Sequence, residues 1–410
     1  MADVRSFRAL RYDEAAGALG SLVCPPYDVI DAAERDALLG TSPYNAVRLE
    51  LPELDYELVG ALIGGWVGAG VLARASRPGL VAWTQTFTLD DGSTHERKVL
   101  LATVEVEPYE ARVVRPHERT HAGPKEDRLR LLYGARAQIS PVYGIYPDDA
   151  GAVWAAAEVS GDPDAQATGR DGTVNRFWWI DDPDLCAAVA AAMSDRWILI
   201  ADGHHRYETA VRYREERRAA GDGDGPHDVV MMGLTAIEDP GLVVLPTHRL
   251  LNEWPEGAAD AFTATAVPDE AALRAALAAT PQDAPAFGLV TPTGAWVLTG
   301  AADDGAAAAR LDVAVLEDRI LRRAFDDDQA GLTARGVLGY TKDAAEAFRL
   351  GSSGAVAAAL ILRPMPKTAV LDVAEAGETM PQKSTYFFPK LLTGVAFHSL
   401  ERPIDGTPRG

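Results

Sequence analysis

The segment RWILIADGHHRYETAVRYREERRAA, residues 196–220, constrains the fold more than any other part of the sequence. Its continuous apolar run at 197–201 predicts a buried strand, and the amphipathic pattern that begins at His204 or His205 predicts a helix. Asp202 and Gly203 join the strand and the helix as a tight turn. Strands and helices that alternate in this way predict a mixed α/β (α+β) core.

Three regions of the chain differ in their pattern. Residues 1–105 predict an N-terminal α+β region, in which NAVRLELP alternates as a strand does and a hairpin turns at Asp-Asp-Gly, residues 90–92. Residues 106–250 alternate apolar strands with helices and predict the core. Residues 251–410 predict a C-terminal α+β region, which ends in a loop and a last helix within residues 377–398.

Composition excludes several classes of protein. The net charge is −21, with 60 acidic against 39 basic residues, and such a surface repels the phosphates of a nucleic acid. No apolar run of about 18 residues predicts a membrane span, and the first residues lack the apolar core of a signal peptide. Cys24 and Cys186 form no disulfide framework. We therefore expect a cytoplasmic protein with reduced thiols and neither a nucleic-acid nor a membrane partner.

The letters HERTH at residues 117–121 match the H-E-x-x-H pattern of zinc peptidases. In those enzymes the two histidines lie one turn apart on a continuous helix. Here Pro116 precedes the first histidine and Gly123-Pro124 follows the second, and a proline at that position disfavours the continuation of a helix. The sequence therefore does not favour a zinc site built on His117, His121 and one of the paired histidines, and we assign no residue as a metal ligand.

A cationic cluster and the Asp202 turn both indicate a small anionic ligand. Seven basic residues lie between 112 and 136 on a chain that is otherwise acidic. At the turn, the amide groups and the dipole of the helix favour an anion, and Gly203 lets a ligand approach the backbone closely. His204, His205 and Arg206 add donors suited to phosphate. The simpler alternative is that Asp202 only caps the helix and that one histidine packs in the core.

Several long segments resemble those of a known family. They are VCPPYDVI, NAVRLELP, RPHERTHAGPKEDRLRLL, IADGHHRYETA and KSTYFFPKLLTGV, spread from about residue 20 to 398. They are similar to the signature segments of the bacterial and archaeal family labelled domain of unknown function 1015. The core also resembles the ParB/sulfiredoxin superfamily, in which a strand–turn–helix of the form Gly-x-x-Arg holds nucleotide phosphates. That resemblance makes residues from about 147 to 195 an insertion.

The resemblance implies roles for individual residues. Free-serine kinases of this superfamily carry a catalytic glutamate in an upstream box and an aspartate in the Asp-Gly turn, which correspond here to Glu118 and Asp202. Either carboxylate would serve as general base or orient the reactants. The residues that would bind the donor's phosphates or neutralise the remaining charge are Gly203, His204, His205, Arg206, Arg115, His117, Arg119, Thr120, Lys125 and Arg128.

The segment at 377–398 is a candidate lid over the phosphate site. It contains Lys383, Ser384, Thr385 and Lys390 beside a cluster of aromatic residues. The simpler alternative is a helix N-cap followed by aromatic residues of the core.

Together these observations predict a small-molecule phosphotransferase that acts on free serine or a related hydroxylated metabolite. ATP, ADP and pyrophosphate all stay open as the donor, because each would fit an anion site and no base-recognition motif is visible. The sequence contains no P-loop, so a P-loop does not hold the phosphates. We expect Mg²⁺ held mainly by phosphate oxygens. Two other classes stay open: a nucleotide-binding switch of the ParB-like type, with or without hydrolysis of a nucleoside triphosphate, and a zinc hydrolase.

Overall fold

The computed structural model of the protein describes residues 1–53, 55–118, 122–301 and 305–401, without the side chains of residues 122–124. The chain forms two compact units. The first comprises Met1–Pro116, Thr120–Leu242 and Pro389–Gly410, and the second comprises His117–Arg119 and Val243–Phe388. Helices and sheets are present in both units, so the predicted mixed α/β class is confirmed.

The first unit is built on a nine-stranded sheet. The strands of this unit, numbered along the whole chain, are β1 (Val4–Arg5), β2 (Leu10–Tyr12), β3 (Leu72–Arg74), β4 (Leu80–Thr88), β5 (Thr94–Glu105), β6 (Val114–Arg115), β7 (Ala137–Gln138), β8 (Val142–Tyr146), β9 (Ala165–Thr168), β10 (Val174–Ile180), β11 (Ile198–Asp202), β12 (Val229–Ala236) and β21 (His398–Ser399).

The large sheet has the order β6-β11-β8-β12-β5-β4-β10-β9, and β1 pairs with β5. In this sheet β11 pairs in parallel with β6 and β12 in parallel with β8, and the other described pairs are antiparallel. The predicted hairpin is present as β4 and β5. The sheet therefore takes strands from both sides of residue 105, where the sequence suggested a boundary between regions.

The first unit also contains several helices. They are α1 (Leu19–Leu22), α2 (Ala32–Leu39), α3 (Val47–Glu50), α4 (Val59–Gly68), α5 (Ala122–Ala135), α6 (Ala152–Ala156), α7 (Pro183–Met193) and α8 (His204–Ala219). The core contains apolar residues of the sheet with those of α7 and α8, among them Ile198, Ile200, Val189 and Tyr207. Both cysteines are buried free thiols of this unit, and burial raises their pKa values.

Three local predictions are wrong. NAVRLELP forms the short helix α3 rather than a strand, because the side chain of Asn45 accepts a hydrogen bond from the amide of Val47 and starts a helical turn. Gly123-Pro124 does not end a helix, because α5 begins at Ala122 and includes the proline in its first turn. A backbone N–H in that turn would have no intrahelical partner, so proline, which lacks the N–H, loses no hydrogen bond there.

The third wrong prediction is the last helix within 377–398. Tyr386–Phe388 is a strand, β20, which pairs antiparallel with β13 (Val243–Leu245). Both strands are rich in β-branched or aromatic residues, and each supplies the pairing partner that the other needs. Phe387 is buried between its half-buried neighbours, as the period of a strand requires.

The second unit contains a six-stranded antiparallel sheet in the order β15-β17-β16-β19-β14-β18. Its strands after β13 are β14 (His248–Leu251), β15 (Thr263–Val267), β16 (Ala286–Thr291), β17 (Gly294–Thr299), β18 (Leu338–Thr341), β19 (Ala358–Leu362) and β20. Its helices are α9 (Glu270–Ala279), α10 (Asp312–Leu316), α11 (Arg323–Phe325), α12 (Gln329–Ala334), α13 (Ala344–Ser353) and α14 (Lys367–Glu375).

A π-helical stretch, Glu317–Arg322, links α10 to α11. Two apolar clusters, one on each side of the sheet's central strands, form the core of this unit. None of the helices in the described part of the chain is long and apolar enough to cross a membrane.

Two helical glycines provide a matched test of the packing in the first unit. A Cβ on Gly134 in α5 would lie 2.0 Å from the carbonyl oxygen of Tyr56, whereas a Cβ on Gly64 in α4 would meet nothing within 4 Å. Gly134→Ala should lower the free energy of unfolding by about 1–3 kcal/mol, since the backbone must shift. Gly64→Ala should raise it by about 0.5–1 kcal/mol through helix propensity. Urea unfolding checks both, and equal effects of the two substitutions would contradict this packing.

Candidate functional site

The end of strand β11 carries the predicted anion site of the first unit. The chain leaves β11 at Asp202, turns at Gly203 and enters α8 at His204. The pairing of β11 with β8 shifts in register between Ile200 and Asp202, so the strand is irregular just where the carboxylate leaves it. His204 is buried and His205 is half-buried at the start of the helix.

Asp202 holds two cations. Its Oδ1 lies 2.7 Å from Nζ of Lys390, and its Oδ2 accepts a hydrogen bond of 2.8 Å from Nη2 of Arg206. Nη1 of Arg206 donates to the carbonyl oxygen of Pro141. The three charged side chains are each between 12% and 17% exposed, so water screens their attraction only weakly. Asp202 therefore does not act as the helix cap; the N-cap residue is Gly203, which has no side chain.

The charges of this trio depend on one another. Burial alone would raise the pKa of the Asp202 carboxyl, but Lys390 and Arg206 hold it well below its usual range. Burial also disfavours a charged guanidinium, yet Asp202, together with Asp28 and Glu50, raises the pKa of Arg206. Asp202 and Arg206 are therefore both charged at neutral pH, and with Lys390 the trio has a formal charge of +1 at the positive end of the α8 dipole.

Gly203 is required for two reasons. Its φ is +85°, a region that residues with a side chain rarely adopt. A Cβ at this position would also lie 2.9 Å from both Nε and Nη2 of Arg206. Any other residue would therefore strain the turn and displace the guanidinium from Asp202.

Arg206 and Arg128 line the same small cavity, of about 50 Å³, together with Glu50, Ser140 and Thr209. Nε of Arg206 and Oγ1 of Thr209 are buried and have no hydrogen-bond partner among the described residues. The structure thus brings two of the predicted phosphate-binding residues together at one small cavity, whose lining is otherwise mostly apolar.

Arg128 is itself held by acidic and aromatic groups. Its guanidinium donates to Oδ2 of Asp127 at 2.9 and 2.6 Å and to the carbonyl oxygen of Glu50 at 3.1 Å. It also lies 4.2 Å from the ring centre of Tyr27. Oε1 of Glu50 accepts from Oγ of Ser140 at 3.1 Å. Arg128 is therefore fixed by both the VCPPYDVI and the NAVRLELP segments.

Two further predicted residues lie elsewhere in the first unit. The guanidinium of Arg115 stacks on the ring of Trp197 at 4.3 Å. Trp197 directly precedes β11, whereas Asp202 is the last residue of that strand. Lys125 forms an ion pair with Glu208 on α8. The structure does not bring either side chain into contact with Asp202.

Glu118 and His117 belong to the second unit. His117 is buried; its Nε2 lies 2.9 Å from Oγ1 of Thr385, and its carbonyl oxygen accepts a hydrogen bond from the amide of Met380. Glu118 is half-buried and forms a parallel bridge with Met380. The 117–118 stretch is thus a short β-like segment held by the 380–385 segment. Arg119, Thr120 and His121 lie outside the described residues.

The candidate lid is divided between the units. Lys383, Ser384 and Thr385 belong to the second unit, where Oγ of Ser384 donates to the carbonyl oxygen of Pro381. Lys390 belongs to the first unit and contacts Asp202.

Arg249 is a buried cation of the second unit, and no sequence pattern marks it as functional. It is fully buried on strand β14 and donates to Oε1 of Gln329 at 3.0 Å, while Nε2 of Gln329 donates to Oε2 of Glu317 at 3.0 Å. Burial lowers the pKa of Arg249 to about 10, opposed by the negative charges of Glu317 and Glu118. Glu118 therefore lies within the electrostatic reach of a buried guanidinium.

The described residues do not suit a metal site formed by the protein. Within residues 1–53, 55–118, 122–301 and 305–401, no group of three or more His, Cys, Asp or Glu side chains is placed to hold an ion. Both carboxylate oxygens of Asp202 already contact cations.

The sequence can now be compared with known proteins. The family model described as "Protein of unknown function (DUF1015)" matches residues 4–314, more than half of the chain. The chain belongs to this family. The predicted family membership is thereby confirmed, whereas the likeness to the ParB/sulfiredoxin superfamily stays a prediction. A search of curated proteins found no significant match.

Several solved structures resemble this DUF1015 chain weakly. A conserved hypothetical protein from Pyrococcus furiosus is 14% identical, with 71% of this chain and 93% of that chain covered and a TM-score of 0.38. A free serine kinase variant in complex with ADP is 13% identical, with 72% and 92% covered and a TM-score of 0.40. SbnI from Staphylococcus aureus with a C-terminal truncation is 13% identical, with 72% and 85% covered and a TM-score of 0.35.

The low pKa of Asp202 predicts how its ion pairs respond to acid. A carboxyl whose pKa is lower in the folded state stabilises the protein at any pH above its pKa in the unfolded state, about 3.9 for Asp. This contribution is lost as the pH falls through the pKa of the folded state. At neutral pH, Asp202→Asn should lower the free energy of unfolding by about 3–5 kcal/mol, since two buried cations lose their partner. Urea unfolding between pH 3 and 8 should give a difference between wild type and variant that is constant above about pH 5 and shrinks in acid. A difference that grows in acid would be inconsistent with these ion pairs.

Proposed function

We propose that this protein is a small-molecule phosphotransferase that transfers a phosphoryl group to an alcohol. The observation that carries the proposal is the Asp202 cluster, where Lys390 and Arg206 are fixed at the start of α8 with one net positive charge. Phosphoryl transfer requires little covalent chemistry from the protein and depends on positioning and on neutralising charge. Fixed cations beside a helix N-terminus provide both.

Free serine, or a related hydroxylated metabolite, is the proposed acceptor. The basis is the resemblance of the 115–128 and 200–210 segments to those of free-serine kinases. An alcohol acceptor needs a carboxylate to take its proton as the bond to phosphorus forms. Glu118 and Asp202 are the two carboxylates that the resemblance selects.

We propose different roles for these two carboxylates. A general base is most effective when its pKa lies near the working pH. Lys390 and Arg206 keep the pKa of Asp202 far below that range, so Asp202 is a poor proton acceptor. We assign it the task of orienting Lys390 and Arg206 toward a phosphate. Glu118 is then the proposed base, on a segment fixed by the hydrogen bond between His117 and Thr385.

The proposed donor is ATP, ADP or pyrophosphate, accompanied by Mg²⁺. All three present the phosphate oxygens that Arg206, His204, His205 and Lys390 would bind, and Gly203 leaves the backbone accessible. Bound Mg²⁺ would neutralise part of the donor's charge, and the proposal assigns no protein residue as its ligand.

Arg206 tests the proposed phosphate site. Arg206→Ala should weaken the binding of magnesium pyrophosphate or ADP by about 1.5–3 kcal/mol, the usual contribution of a hydrogen bond to a charged group. Titration calorimetry measures this change directly. Arg217→Ala, on the same helix and outside the cluster, is the matched control and should bind as the wild type does. Unchanged affinity in the Arg206 variant would count decisively against a phosphate site at the turn.

Glu118 tests the proposed chemistry. Glu118→Gln keeps the shape of the side chain but cannot accept a proton, so turnover should fall by roughly 10²–10⁴ while donor binding stays intact. Product formation from serine and each donor is the measurement. Wild-type turnover in the variant would exclude Glu118 as the base. A wild-type protein that binds nucleotide but phosphorylates no alcohol would favour the nucleotide-binding switch, and stoichiometric zinc in the purified protein would favour the hydrolase.

A further inference from the structure

Lys390 reaches Asp202 from a backbone that two buried side chains hold in place. The carbonyl oxygen of Pro389 accepts a hydrogen bond from Nη2 of Arg97, and the carbonyl oxygen of Lys390 accepts one of 3.2 Å from Nε2 of Gln85. Arg97 and Gln85 face each other on β5 and β4, at one register position of the hairpin. Successive carbonyl groups at 389 and 390 are thus tied to adjacent strands of the sheet.

These two side chains belong to a polar network that is buried throughout. Gln85, Arg97 and Asn175 are each at most 1% exposed. Oε1 of Gln85 accepts from Nε of Arg97 at 3.1 Å, and Nε2 of Gln85 donates to Oδ1 of Asn175 at 3.0 Å. That same Oδ1 accepts from Nε1 of Trp83 at 2.9 Å, while Nδ2 of Asn175 donates to the carbonyl oxygens of Ala167 and Thr173.

Such a network does not arise for the sake of stability alone. Burying a guanidinium is costly, and an apolar core of similar volume is often as stable or more so. What the network supplies is a defined position for the chain at 389–390. A lysine has a long, flexible stem, so its ammonium group occupies one place only where the backbone beneath it is fixed.

We propose that Gln85 and Arg97 are positioning residues that hold Lys390 against Asp202, and so set the geometry of the cationic cluster. The catalytic meaning of this inference rests on the proposed phosphotransferase function, but the positioning itself does not. The negative charge of Asp202 is near enough to raise the pKa of Arg97, against the lowering by burial. The guanidinium of Arg97 also lies 4.7 Å from the ring centre of Tyr143, which pairs with Asp202 across β8 and β11.

Gln85→Glu removes the hydrogen bond to the Lys390 carbonyl, together with the one to Oδ1 of Asn175. Glutamate keeps the oxygens that Arg97 requires but has no N–H to donate to the Lys390 carbonyl. Asn175→Asp is the matched control: it makes the same amide-to-acid change in the same network, on a side chain that has no contact with residues 389–390. Arg97→Lys, which keeps the charge but loses the forked donor, serves as a second variant where Gln85→Glu does not fold.

The first measurement is the binding of magnesium pyrophosphate in a double-mutant cycle with Lys390→Ala. Gln85→Glu should weaken binding by about tenfold, within the range of couplings between residues that share partners. In the Lys390→Ala background it should have no further effect, because its influence passes through Lys390. Asn175→Asp should bind within about twofold of wild type. An equal effect of Gln85→Glu in both backgrounds would overturn the proposal.

The second measurement needs no ligand and separates this inference from the proposed function. The ¹³C resonance of the Asp202 carboxyl, identified by its absence in Asp202→Asn, is titrated with acid in each protein. In Arg97→Lys, which leaves the net charge unchanged, Asp202 should titrate at a clearly higher pH than in wild type, while Asn175→Asp leaves it unchanged. If wild type binds no pyrophosphate, the proposed function fails and this titration still decides the positioning. An unchanged titration of Asp202 in Arg97→Lys would refute it.

Discussion

One carboxylate shared between two cations, Asp202 between Lys390 and Arg206, is the interaction on which the candidate site of the first unit depends. Without Asp202 the two cations would repel each other in a poorly hydrated place, and neither would be held there. With it, both stay charged, and the cluster keeps a net positive charge at the start of α8. The same pairing explains the glycine at 203, since any side chain there would push the guanidinium away.

The parts of this site that are local in sequence could be predicted, and the parts that are distant could not. A continuous apolar run followed by Asp-Gly and an amphipathic pattern specifies a strand, a turn and a helix, and β11 and α8 are where these patterns place them. Lys390 lies 188 residues beyond Asp202, and no periodicity links the two positions. Arg115 is close to the other predicted cations in sequence, but stacking on Trp197 directs it to the opposite end of the strand. The NAVRLELP segment was mispredicted because one side chain, Asn45, outweighed the alternating pattern.

In the second unit the positive charge of Arg249 is linked to a carboxylate through an intervening amide. The guanidinium of Arg249 and the carboxylate of Glu317 do not meet within a direct hydrogen bond; the amide of Gln329 accepts from one and donates to the other. The amide makes one hydrogen bond to each charged group and keeps the two groups apart, and only one orientation of the amide satisfies both. Glu118 lies near enough to influence Arg249. Arg249 on strand β14 is therefore one charged neighbour of Glu118, and no sequence pattern marks that strand as functional.

The two cysteines have a practical consequence for any experiment on this protein. Cys24 and Cys186 are buried, and burial raises the pKa values of both thiols, which leaves little of the reactive thiolate at neutral pH. A new cysteine at an exposed position would thus react with a maleimide dye well before either native thiol. Fluorescent labels can therefore be attached at chosen sites without first removing Cys24, which lies in one of the segments that holds Arg128.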